Sequence, residues 1–132
     1  MKLKRRSAHK EGGAVAVEFA LVAPFLIALI VAVVEFANAY NIQVSVTQAS
    51  REAARTVAVT KDTTKATAAG KAGAPSINAS LLAFDYSAAS CPSSASTTAN
   101  ALVTVTYSGP TLTGLFGSTL SLTGKGAMQC GG

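Results

Sequence analysis

Glu18 is the residue whose placement most requires a chemical explanation. It stands immediately before a charge-free apolar run at 19–34, and an acidic side chain near the centre of a spanning helix costs roughly 3 kcal/mol on insertion scales. Such a carboxylate regains part of that cost beside a cation, or snorkels to water if it lies near the membrane edge. Two cysteines, Cys91 and Cys130, can oxidise to a disulfide in an oxidising compartment, although spacing alone leaves two free thiols open. The remaining titratable residues form no catalytic set. His9 is the single histidine, Asp62 and Asp85 fall in different segments, and metal-ligand spacing, a phosphate-binding Gly loop and a Ser-centred elbow are all missing. Asn78, Ala79 and Ser80 satisfy the glycosylation triplet, a pattern short enough to recur by chance. The expectation is a protein that is not an enzyme and holds no cofactor or metal.

The elements that position Glu18 follow from charge and hydropathy. The 132 residues are 49% hydrophobic and 13% charged, too apolar for disorder and enough for one small domain. Residues 14–34 give 21 positions, about 31 Å of helix at 1.5 Å per residue, close to the thickness of bilayer hydrocarbon. Pro24 inside this stretch removes a backbone donor and leaves the carbonyl of Ala20 without its helical partner, a tolerated kink in most membrane helices. The net charge of +5 is concentrated in the leader: Lys2, Lys4, Arg5, Arg6 and Lys10 against Glu11 place +4 in residues 1–13. A basic cluster before an apolar span holds the N-terminus in the cytoplasm. That location argues for a membrane partner and against nucleic acid, and it puts both cysteines on the exported side.

Between Phe25 and Ala69 there is neither Gly nor Pro, so the helix is expected to leave the membrane unbroken and continue to about residue 66. Ile42, Val46, Ala49, Ala53 and Val57 share one face, while Gln48, Arg51, Glu52 and Arg55 lie away from it. Glu35 and the charged residues at 51–55 read as a membrane boundary and a solvated helix face. Gly70, Gly73 and Pro75 end the helix, and three strands are expected at 77–87, 101–107 and 118–129. Gly109 and Pro110 are expected to force a turn after the second strand, with Leu115 and Phe116 packing back under the sheet. The Ser/Thr-rich segment 88–100 reads as a surface loop. Three strands alone are marginal. The fold class is therefore α+β: a long N-terminal helix, transmembrane then amphipathic, packed on a small C-terminal antiparallel sheet of about three strands.

The N-terminal third admits three readings. Ala37, Asn38 and Ala39 resemble a signal-peptidase site, whose use would release a secreted binding module starting at Tyr40. Against it stand 16 charge-free residues at 19–34, longer than the usual 7–15 of a signal-peptide core, and Glu35 close before the cut. Arg5 and Arg6 lack the apolar pair of a twin-arginine signal. An unprocessed single-pass anchor is the second reading. In the third, the chain is cut between Gly13 and Ala14, which leaves the apolar helix in place and makes Glu18 the fifth residue.

The third reading carries a resemblance. Bacterial prepilins have Gly before the cut and Glu fifth after it, and tight-adherence (Flp) pilins and pseudopilins follow that Glu with an aromatic residue; Gly13, Glu18 and Phe19 match each position. Gly12 offers a second conceivable cut. E-F-A-N-A-Y from Glu35 and A-S-R-E-A-A-R from Ala49 resemble the stretches after the span in TadE-like pilus-assembly proteins, and Gly114-Leu115-Phe116-Gly117 resembles the turn before the last strand of that family. The resemblance implies a minor pilin or pseudopilin that takes part in assembling a tight-adherence pilus, with a prepilin peptidase, other pilins and pilus-assembly proteins, and membrane lipid as partners. It implies a cleaved cytoplasmic leader at 1–13, a transmembrane helix at 14–39, its extracytoplasmic continuation at 40–69, and an exported β-rich domain at 70–132. The protein would reside in a bacterial cytoplasmic membrane with its C-terminus outside, or in an extracellular pilus. Glu18 and Phe19 become assembly contacts, Glu18 meeting the new α-amine of Ala14 in its own chain or in the next.

Overall fold

The computed structural model describes residues 11–89, 91, 99–114 and 117–130, except for the side chain of Glu11. The elements are α1 (Glu11–Thr60), α2 (Thr63–Ala72), a 3-10 turn (Ala79–Leu81), β1 (Leu82–Asp85), β2 (Asn100–Pro110) and β3 (Thr119–Gln129). The strands form one antiparallel sheet in the order β1-β2-β3. The architecture is the expected α+β, a long N-terminal helix packed on three antiparallel strands. The chain divides into two compact units, Met1–Glu35 and Phe36–Gly132.

The first unit contributes the apolar half of α1, which continues through Pro24. Its large side chains are exposed, Phe19, Leu21, Phe25 and Ile30 by 69%, 66%, 78% and 62%. This helix is long and apolar enough to cross a membrane, with a mean hydropathy of 2.7 in its most apolar window.

The second unit holds the core. The stripe expected on α1 is buried as read, Ile42, Val46, Ala49, Ala53 and Val57 being at most 7% exposed. Across from it, Ala101, Val103, Val105 and Tyr107 point inward from β2 while Thr104 and Thr106 alternate outward. The facing positions of β3 are Gly124 and Gly126. A Cβ on Gly124 would lie 2.8 Å from the Val46 carbonyl oxygen, and one on Gly126 would collide with the carbonyl group of Ser50. Helix backbone thus rests directly on strand backbone, an approach that only glycine permits. Gln43 ties the same edge from above, its Nε2 donating to the Thr123 carbonyl at 3.1 Å. Ser50, fully buried in this contact, donates its hydroxyl to the Thr47 carbonyl at 2.8 Å, which removes the desolvation penalty of an unpaired polar group.

Three expectations about boundaries are corrected. The helix does not reach residue 66: it stops at Thr60, Lys61 takes a left-handed φ of 56°, and Asp62 starts α2. The β-branched run at 56–60 weakens the helix, and the Asp62 carboxylate accepts from the N–H groups of Thr64 and Lys65 at 2.9 and 3.2 Å. Such a cap contributes about 1 kcal/mol to the new helix. The corner returns α2 along the core, where Ala66 and Gly70 are buried and Gly70 faces the Phe84 ring and the Ala49 carbonyl. Secondly, Gly109 and Pro110 do not turn the chain. They lie in β2, paired with Leu120 and Thr119 of β3, and the Tyr107 ring covers the space that a Cβ on Gly109 would need; the connection follows, with Gly114 and Gly117 at φ 74° and 115°. Leu115 and Phe116 lie outside the described residues. Thirdly, the strand expected at 77–87 shortens to Leu82–Asp85, since Asn78 caps a 3-10 turn through its bond to the N–H of Ser80.

Beside β1, the Phe84 and Tyr86 rings stack with centroids 6.3 Å apart, and the Tyr86 hydroxyl shares a 2.8 Å hydrogen bond with Thr67. Partial burial raises the Tyr86 pKa above its usual 10.0, against an opposing contribution from the Thr67 bond. A phenol whose folded pKa is raised contributes stability that is complete below the unfolded value and is lost as pH rises through the folded one. Urea unfolding followed from pH 9 to 12 is expected to show stability falling on the alkaline side, less steeply in Tyr86→Phe; equal slopes would remove Tyr86 as the cause. Asp85 shifts the opposite way, its carboxylate being favoured chiefly by the backbone N–H of Ser87 at 2.9 Å.

Candidate functional site

Gly13, Ala14, Glu18 and Phe19 lie within the first turns of α1, and all four are exposed. Glycine is the poorest helix former after proline, about 1 kcal/mol worse than alanine, so two in succession ask for a local reason. Packing supplies none: a Cβ on Gly12 or Gly13 would meet nothing within 4 Å, and neither has a positive φ. A pair of glycines also lets the first turn open easily.

Glu18 stands one helical turn after Ala14, the i, i+4 spacing at which side chains share a face. Among the described residues the ion pair between Lys65 and Asp62, at 3.8 Å, is on a solvated surface and contributes little; none is formed by Glu18. Its surroundings are the exposed apolar side chains of α1, Val15, Val17, Phe19, Leu21 and Val22. Cleavage before Ala14 would place an ammonium within one turn of this carboxylate. Glu35 differs from Glu18 in being 9% exposed, which a boundary or solvated-face reading did not anticipate.

Cys91 and Cys130 belong to the second unit and are joined in a disulfide, with Cα atoms 5.5 Å apart. Beside it the Cys130 N–H donates to the Ala99 carbonyl at 2.9 Å, so the bond locks the end of the ladder where Asn100 faces Gln129. Two features that position the unit were missed from sequence. Gly124 and Gly126, spaced by two within a strand, are a legible signal of close backbone approach. Asp62 followed by Thr63, Thr64 and Lys65 is a legible helix start.

These features define a chain with one membrane-compatible helix, a glycine-flanked helix start ahead of a lone carboxylate, and a disulfide-closed α+β unit. Residues 13–55 match the family model described as TadE-like protein. The match starts at Gly13 and ends at Arg55, covering the apolar half of α1 and most of the stripe that carries the sheet. No curated protein and no solved structure matches the chain. The TadE-like match connects the chain with functions related to tight-adherence pili and, in general terms, with pilus-assembly components.

Proposed function

We propose that the chain is a minor pilin or pseudopilin of a tight-adherence pilus, cut after Gly13 by a prepilin peptidase and held by the helix from Ala14. Its work is assembly and not catalysis. The observation that carries the reading is Gly13 itself, a helical glycine with no packing reason, placed where the TadE-like match begins and five residues before Glu18. Cleavage removes the leader with its +4 and leaves six bases and five acids, a nearly neutral mature chain. The N-terminus would face the cytoplasm, the disulfide-bonded unit the oxidising side. Glu18 would pair with the Ala14 amine of its own or a neighbouring subunit, which in the second case sets register between chains. Release after Ala39 is disfavoured by the 16 charge-free residues at 19–34, longer than the usual signal-peptide core.

N-terminal sequencing of the membrane fraction tests the reading. A mature start at Ala14 is expected; a start at Tyr40 defeats it, and retention of Met1 or Lys2 favours a plain anchor. Gly13→Leu is expected to accumulate full-length precursor. Glu18→Ala is expected to be processed yet to lose pili, and normal piliation in that strain would remove Glu18 as an assembly contact.

A further inference from the structure

We propose that the end of the second unit from which the apolar half of α1 departs sits in the lipid headgroup layer, with Leu112 reaching the first acyl carbons. The proposal rests on residues 14–34 spanning a bilayer. Its basis is the distribution of charge within the unit. Every charged residue after Glu35 lies at Arg51 or beyond along α1, in the α1–α2 corner, on α2, or in one row of the sheet. In that row Asp85 stands opposite Thr104, and Thr104 opposite Lys125. The row is level with residues 46–50 of α1, since Gly124 abuts Val46 and Gly126 abuts Ser50, while α2 is fixed at a similar level or beyond by Gly70 against Ala49 and Gly73 against Glu52. The other end of the unit is free of charge in all its segments: residues 36–50, 72–84 and 105–124 contain no Asp, Glu, Lys or Arg.

In the chain, the charge-free end begins just after the apolar span. Asn38 comes four residues after Val34, about 6 Å of helical rise, and the headgroup layer on each side of a bilayer is roughly 5–8 Å deep. Asn38 lines an open groove of about 350 Å³ together with Ile42, Ile77, Pro110 and Leu112. Leu112 is 60% exposed, and on α1 Phe36 and Tyr40 are 74% and 64% exposed. Aromatic rings at this depth are what membrane interfaces select. In the groove beside Leu112, Ser76, Asn78 and Thr111 supply neutral hydrogen-bonding groups. A surface of exposed apolar and uncharged polar groups, continuous with a spanning helix, fits a lipid interface. The opposite, charged end fits water.

The chain contains no Trp, so single-tryptophan variants of the full chain report depth directly. L112W, V59W at the charged end, and L26W in the span are reconstituted into phosphatidylcholine vesicles brominated near the top of the acyl chain, and into a second set brominated near the chain end, the depth of L26W. L112W is expected to emit at shorter wavelength than V59W and to be quenched severalfold more strongly. If L26W is quenched while L112W behaves like V59W, the proposal is overturned and the span stands. If L26W is not quenched, the span reading fails and takes the proposal with it. A shift in L112W that grows with the protein-to-lipid ratio, without bromine quenching, assigns the surface to a protein partner and also overturns it.

Discussion

Replacing Gly126 by valine is expected to lift β3 from α1 and destabilise the second unit by about 3 kcal/mol or more, at or above the usual cost of overpacking a core. The obstruction is main chain: a Cβ on Gly126 collides with the Ser50 carbonyl group and would stand 2.7 Å from the Arg51 nitrogen. No rotamer change can relieve it, because these atoms belong to the middle of a helix whose neighbours Val46, Ala49 and Ala53 are at 0% exposure. Near-UV circular dichroism of the tyrosines during urea unfolding measures the loss, since the helix in a micelle need not unfold with the sheet. Gly124→Ala, facing Val46 at 2.8 Å, is expected to do the same more mildly. Ala127→Val, one residue on and exposed, serves as the control; a Gly126→Val chain as stable as that control would refute the backbone contact.

Loss of the Cys91–Cys130 bond is expected to cost about 4 kcal/mol, from the chain entropy of closing a loop of this length, given a sequence separation of 39. The bond encloses a Ser/Thr-rich connection with few apolar groups to order it, and it holds the end of the β2–β3 ladder. Reduction, or Cys91→Ala with Cys130→Ala, is expected to lower Tm by roughly 15–30 °C for a unit of this size. Amide exchange would accelerate first at Cys130, whose N–H donates to Ala99, and last near Val105. An unchanged Tm would mean that the β-sheet and α1 suffice without the crosslink. The same bond matters for the function proposed, because an exported subunit outside the reducing cytoplasm can keep it.

Periodicity made the central contact legible. Ile42 to Val57 at steps of three and four read as a helix stripe, against β-branched stretches at 44–47 and 56–60 that also suit strands, and Val103, Val105 and Tyr107 between threonines read as a half-buried strand, so the helix-on-sheet arrangement followed from pattern. The break at Lys61 and Asp62 was harder to see, since neither Gly nor Pro marks it; a carboxylate cap and a β-branched run made it instead. Gly109 and Pro110 misled in the opposite direction. As a dipeptide they encourage a turn, but pairing with Leu120 and Thr119 of β3 carries the strand through them.

At the N-terminus the balance reverses. The proposed processing signal at Gly13, Ala14, Glu18 and Phe19 was read from residue type and order alone, because such a signal is linear. Folding adds that, among the described residues, a Cβ on Gly13 would meet nothing within 4 Å. By itself the sequence determined the charge asymmetry, the apolar length of the helix and the faces of its elements, all of them one-dimensional properties of side-chain order. Tertiary structure decided which partner each face meets: the α1 stripe covers its own sheet, glycines at 124 and 126 admit helix backbone, and Cys91 finds Cys130. Those outcomes depend on distances between segments remote in the chain, set by packing that no local pattern encodes.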